Sequence, residues 1–206
     1  MVKHFLLFLL TLSFVSCEKK ADANYDKHYY SKTQIFEPDD YDRPYQNKEA
    51  EKLFKDGVES YADKQFLKAE NEYKKSLKIE PHPNTYNELG ICLRATNRIN
   101  ESLESFQNAI KLDSTFSTAY FSLANLYAKM NDYKSAERIT LMMINNANEK
   151  FWKSYGYLHL SAIYNNQKDI NKAKIFLDSA KDLENIEEFR DLYRNFRDTI
   201  NMNLNK

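Results

Sequence analysis

The chain has 206 residues, with 30 Lys and Arg against 30 Asp and Glu, enough for one folded unit of ordinary size and without the positive field that non-specific nucleic-acid binding requires. Its three glycines, Gly57, Gly90 and Gly156, stand too far apart for a phosphate-cradling loop, a dinucleotide fingerprint or a nucleophile elbow. Nucleic acid is thereby excluded as a partner, together with several classes of enzyme.

Residues 1–16 read as a processing segment: a cationic start at Lys3, an apolar run from Phe5 to Leu12, then smaller residues up to Ser16. The run is too short to span a bilayer, which takes about 20 apolar residues. The junction Phe14-Val15-Ser16-Cys17 resembles the lipobox of bacterial lipoproteins, with Phe14 in place of the usual leucine. That resemblance implies a lipidated Cys17 as the mature N-terminus, held stably because more than one acyl chain is attached. It also implies a place in the cell envelope. Glu18 is not the Asp that favours inner-membrane retention in enteric bacteria, so the outer membrane is the expected site. The second cysteine, Cys92, lies in an apolar helical pattern and reads as a small buried hydrophobe, so no disulfide is expected.

Residues 17–48 follow as lipidated N-terminus and tether. The stretch is charged and Tyr-rich, lacks periodicity and includes Pro38-Asp39-Asp40 and Arg43-Pro44, which reads as solvated linker. The alternative, that its tyrosines dock on a partner or on the repeats, stands beside that reading.

From residue 49 to residue 185 the chain repeats itself. Ala69-x3-Tyr73, Ser102-x3-Phe106, Ala136-x3-Thr140 and Ala173-x3-Leu177 recur at intervals of 33, 34 and 37 residues. Upstream of three of them stand Tyr86-x2-Leu89-Gly90-x2-Leu93, Tyr120-x2-Leu123-Ala124-x2-Tyr127 and Tyr157-x2-Leu160-Ser161-x2-Tyr164. The first unit keeps Leu53 and Gly57, then Phe66, Leu77 and the helix-stopping Pro81. Period and positions resemble the tetratricopeptide repeat (TPR) family. The fold class that follows is all-α: a TPR-type helical repeat solenoid of about four helix pairs plus a C-terminal capping helix.

Two antiparallel helices approach closely only where small residues meet. Gly57, Gly90, Ala124 and Ser161 supply the small side on first helices, and Ala69, Ser102, Ala136 and Ala173 face them from second helices. Ala147 reads as a helix end away from that crossing. Asn97-Arg98, Asn131-Asp132 and Lys168-Asp169 supply turn and cap residues. Residues 186–206 place Ile186, Phe189, Leu192, Tyr193, Phe196 and Ile200 at helical spacing, as a capping helix and tail.

Four histidines, His4, His28, His82 and His159, share no metal-ligand spacing, so no metal, no cofactor and no catalytic residue is expected. His159 reads as a groove or packing residue. The resemblance implies a groove lined by first helices that holds a protein or peptide partner. In this register its residues are Phe54, Tyr61, Asn87, Arg94, Phe121, Asn125, Tyr155 and Asn165. Phe54 and Val58 stand where chaperone-binding members open a carboxylate clamp with Lys and Asn, so no such clamp is expected. A second reading packs Phe54, Tyr61 and Phe121 on neighbouring repeats. The function implied is a membrane-anchored interaction scaffold or adaptor. The alternative is a self-associating structural subunit, a homo-oligomer joined through the C-terminal helix.

Overall fold

A computed structural model describes residues 43–204; the signal segment and Cys17 lie outside them. Among the described residues all regular structure is helical: α1 (Lys48–Ala62), α2 (Phe66–Ile79), α3 (Pro83–Ala95), α4 (Ile99–Leu112), α5 (Ser117–Lys129), α6 (Tyr133–Asn146), α7 (Lys150–Asn166), α8 (Ile170–Ser179) and α9 (Glu187–Leu204), with a 3₁₀ turn at Lys181–Asn185 before α9. None of these helices is long and apolar enough to cross a membrane.

Within each pair the hairpin turns by the same device. Lys64, Asn97, Asn131 and Lys168 adopt left-handed φ values of 61° to 63°, at the same intervals as the repeat itself. Each turn closes with a backbone bond reaching back five residues: Gln65 N to Ser60 O at 2.8 Å, Arg98 N to Leu93 O at 2.9 Å, and Asp132 N to Tyr127 O and Asp169 N to Tyr164 O at 3.0 Å. This is the Schellman closure, which satisfies carbonyls that a helix end otherwise orphans. The next helix starts at once. Asp132 and Asp169 cap α6 and α8 by accepting the Ser135 and Lys172 amides.

The chain divides after Leu123 into two compact units. In the first, α1 packs on α2, α2 on α3 and α3 on α4. Gly57 lies under the ring of Tyr73 and Gly90 under that of Phe106, each so close that a Cβ would come within 2.6 Å of a ring carbon. Ser102 Oγ donates to the Gly90 carbonyl at 2.7 Å, so this pair meets as its spacing requires. Ser76 Oγ ties the end of α2 to the start of α1 through the Ala50 carbonyl. Between pairs, Glu70 of α2 accepts from Arg98 at 2.6 Å and from Lys74. Burial opposes the Glu70 carboxylate, but these two hydrogen bonds outweigh it and hold its carboxyl below the usual range. Cys92 is buried and donates to the Phe66 carbonyl, and burial pushes its thiol up to about 12.

In the second unit, Ala136, Ile144, Leu160 and Ile163 form a core to which Tyr127, Tyr133, Tyr157 and Phe176 add their rings. Ser161 Oγ reaches the Ala173 carbonyl at 2.6 Å, the counterpart of Ser102 and Gly90 with the hydroxyl on the other helix. Thr140 Oγ1 donates to Ala136 O and lies 2.9 Å from His159 Nδ1. Because the Thr140 proton is engaged, His159 Nδ1–H must be the donor. His159 is a packing residue, and burial lowers its pKa to about 4, which keeps the ring neutral at pH 7. Gly156 fits under Ile144 and Met143 of α6. Ala147, expected outside the crossing, is only 4% exposed, because the chain bends there from α6 into α7.

Helix α9 turns its apolar stripe inward: Phe189, Leu192, Tyr193, Phe196 and Ile200 are all buried. Tyr193 donates to the Leu177 carbonyl. Outside, Arg194 and Arg197 hold Glu184 of the 3₁₀ turn.

Candidate protein-interaction site

The first helices α1, α3, α5 and α7 carry all eight residues expected to line a groove, and burial sorts them. Phe54, Arg94, Phe121, Asn125 and Tyr155 are half-buried, whereas Tyr61, Asn87 and Asn165 are buried. In the first unit, the Tyr61 ring leans on Phe66 at 5.3 Å and is 1% exposed, so it is core. Phe54 contacts Tyr73 at 6.2 Å on one side. Asn87 donates to Glu88, itself 2% exposed, while its Oδ1 has no hydrogen-bond partner among the described residues, a buried acceptor left available.

In the second unit, two of the positions are covered by the chain's own last helix. Tyr155 meets Phe189 edge-on at 5.7 Å, and Phe151 meets the same ring at 5.1 Å. Asn165 accepts from Asn203. Asn125 keeps partial exposure. The structure thus leaves Phe54, Arg94 and Phe121 of the first unit, and Asn125 of the second, as partly exposed first-helix side chains.

A further contact in the first unit follows the alternative reading of the tether, in which a tyrosine docks on the repeats. Residues 43–47, expected as the end of a solvated tether, lie along the loops that precede α3 and α5. Tyr45 stacks on His82, with ring centroids 3.9 Å apart and planes 16° apart, and leans on Phe54 at 5.5 Å. Its hydroxyl lies 2.5 Å from Thr85 Oγ1. The two oxygens of Glu80 accept the backbone amides of Gln46 and Asn47 at 3.1 and 2.8 Å. Arg43 donates to Thr115 at 2.9 Å and pairs with Asp113. His82 caps α3 by accepting the Asn84 amide at Nδ1; burial lowers its pKa against a hydrogen bond with the Arg43 backbone and the charge of Glu80, so the ring is neutral. No period of 2 or 3.6 marks five residues of extended chain, and only the tyrosines offered a signal.

No group of His, Cys, Asp and Glu among the described residues is placed to hold a metal ion. Residues 90–131 match the family model of the TPR repeat, and no curated protein sequence matches the chain. Among solved structures, the TPR domain of Sgt2 from Aspergillus fumigatus is similar at 22% identity and a TM-score of 0.50, over 62% of this chain and 83% of that one. MamA from Desulfovibrio magneticus RS-1 is similar at 16% identity and a TM-score of 0.57, over 78% and 92%. PilF of Pseudomonas aeruginosa is similar at 13% identity and a TM-score of 0.53, over 96% and 82%. Helix pairs that turn alike at the TPR period, a TPR match at their centre and these likenesses make the fold a helical repeat solenoid of the tetratricopeptide kind.

Proposed function

We propose that the chain is a scaffold or adaptor that binds a protein or peptide segment along its first helices, is anchored in the cell envelope through lipid on Cys17, and performs no catalysis. The observation that carries the reading is the combination of a TPR-type fold with aromatic and cationic side chains left partly exposed on first helices, Phe54, Phe121 and Arg94. Such side chains provide stacking and charge-assisted bonds to an extended or helical segment. Burial of the α9 stripe against its own unit favours a capping role over self-association, since a stripe consumed within the chain is not free to pair between chains.

The test is capture of envelope proteins by the full chain and by a variant with Arg94→Ala and Phe121→Ala. Both residues are half-buried, so the variant should keep its melting temperature within a few degrees and lose most of the captured partner. Unchanged capture refutes the site. For the anchor, Cys17→Ala should move the exported protein from a salt-washed membrane fraction to the soluble one, and a variant that stays with the membrane refutes lipidation as the attachment.

A further inference from the structure

The contacts of residues 43–46 have the features of peptide recognition rather than of linker packing, and they end at Asn47, whose side chain caps α1 by accepting the Glu49 and Ala50 amides. A carboxylate with one oxygen on each of two successive backbone amides reads main chain, whatever side chains it carries. An aromatic slot closed on one face by His82 and bordered by Phe54 reads a ring. A buried hydroxyl at its end, Thr85, 0% exposed and 2.5 Å from the Tyr45 oxygen, separates Tyr from Phe, because a bare ring leaves that hydroxyl without its partner. Asp113, itself accepting the Thr115 amide and hydroxyl at 2.8 Å, takes the cation two residues before the ring. Pro44 keeps that cation's backbone extended.

We propose that this slot, built from Phe54, Glu80, His82, Thr85 and Asp113, is a linear-peptide site which the protein closes with its own residues 43–46, and which takes from another chain an extended segment bearing a tyrosine two residues after a cation, with no proline in the position that follows the tyrosine. The slot shares Phe54 with the first-helix face, but its other residues are its own, and its test leaves Arg94 and Phe121 untouched, so the failure of one reading is distinguishable from the failure of the other. Its own occupant is covalently attached, and an attached segment competes at an effective concentration in the millimolar range. A partner therefore gains the slot only when residues 43–46 are released, while Asn47 keeps its place as the N-cap of α1.

The probe is a fluorescent heptapeptide with the sequence of residues 42–48, Asp-Arg-Pro-Tyr-Gln-Asn-Lys, titrated into the full chain. The double variant Tyr45→Ala with Gln46→Pro removes the ring and one of the two amides held by Glu80, so the slot opens. The peptide should bind this variant at least tenfold more tightly than it binds the unmodified protein. Replacing its Tyr by Phe should weaken binding about tenfold, and that difference should vanish when Thr85→Val is added. Circular dichroism checks that helix content is kept; if the double variant loses it, Tyr45→Ala alone carries the same titration. Equal binding to the open and unmodified proteins, or binding to neither, overturns the proposal.

Discussion

Replacing Gly90 by alanine tests the closest approach in the first unit. On the helix backbone the new Cβ would stand 2.6, 2.7 and 3.0 Å from Cε1, Cδ1 and Cζ of Phe106, where ordinary carbon contacts lie near 3.5–4.0 Å. The ring would have to retreat by about 1 Å. It is 1% exposed, with Ala109 and Ser102 of its own helix at 0%, so there is no space to enter without moving α4. Overpacking of this kind costs about 1–3 kcal/mol, and the better helix propensity of alanine returns about 0.5–1 kcal/mol. The net loss should be about 1–2 kcal/mol, read as a lower urea midpoint or a fall of about 2–8 °C in Tm. The decisive measurement is a double-mutant cycle with Phe106→Leu. That change alone should cost less than about 1.5 kcal/mol, whereas in the Gly90→Ala background it relieves the clash, giving a favourable coupling of about 1–2 kcal/mol. Additivity to within about 0.5 kcal/mol would refute the claim that ring and glycine touch.

The left-handed turns predict opposite signs for two substitutions: Lys168→Asn should stabilise by about 0.5 kcal/mol because Asn tolerates positive φ, while Asn131→Val should destabilise by about 1–2 kcal/mol, and urea midpoints in the same direction would refute the turn geometry. His159 is neutral when folded, with a pKa of about 4, but titrates near 6.5 when unfolded. On acidification the unfolded state takes the proton first, so the stability present above pH 6.5 is lost as pH falls toward 4, by up to about 3 kcal/mol; His159→Gln should flatten this part of the stability profile, and an unchanged slope sinks the assignment. In a Cys17→Ser background, Cys92 should react with iodoacetamide only as the protein unfolds, because its thiol is buried and pushed up to about 12; rapid alkylation of the folded chain would contradict its placement.

What could be read in advance follows from where each interaction lies in the repeat. Gly90 and Ser102, like Ser161 and Ala173, touch within one helix pair, so their fixed spacing exposed them. Gly156 packs on Ile144, which belongs to the preceding pair, and no motif position links the two. Ala147 was placed from distance along its helix, but burial there depends on how the chain bends into α7. For the site, register identified which side chains sit on first helices; exposure depended on neighbours that register does not name. Tyr61 is sealed by Phe66, Tyr155 by Phe189 from a helix outside the repeat, and Phe54 is flanked by Tyr45 from a segment with no periodicity at all.

The course of residues 43–47 also decides how the protein yields to force. A pull on the N-terminus meets Arg43 first, then the Tyr45 ring, and only afterwards the two amides held by Glu80. These contacts break in sequence, as a zipper opens, and a single hydrogen bond contributes about 0.5–1.5 kcal/mol. Peeling therefore proceeds under low tension and releases about 14 Å of chain from residues 43–46, at 3.3–3.6 Å per residue, before the load reaches Asn47, which caps α1 and accepts its first backbone bond. The segment acts as an extensible fuse, and the same tension that straightens it uncovers the slot beneath.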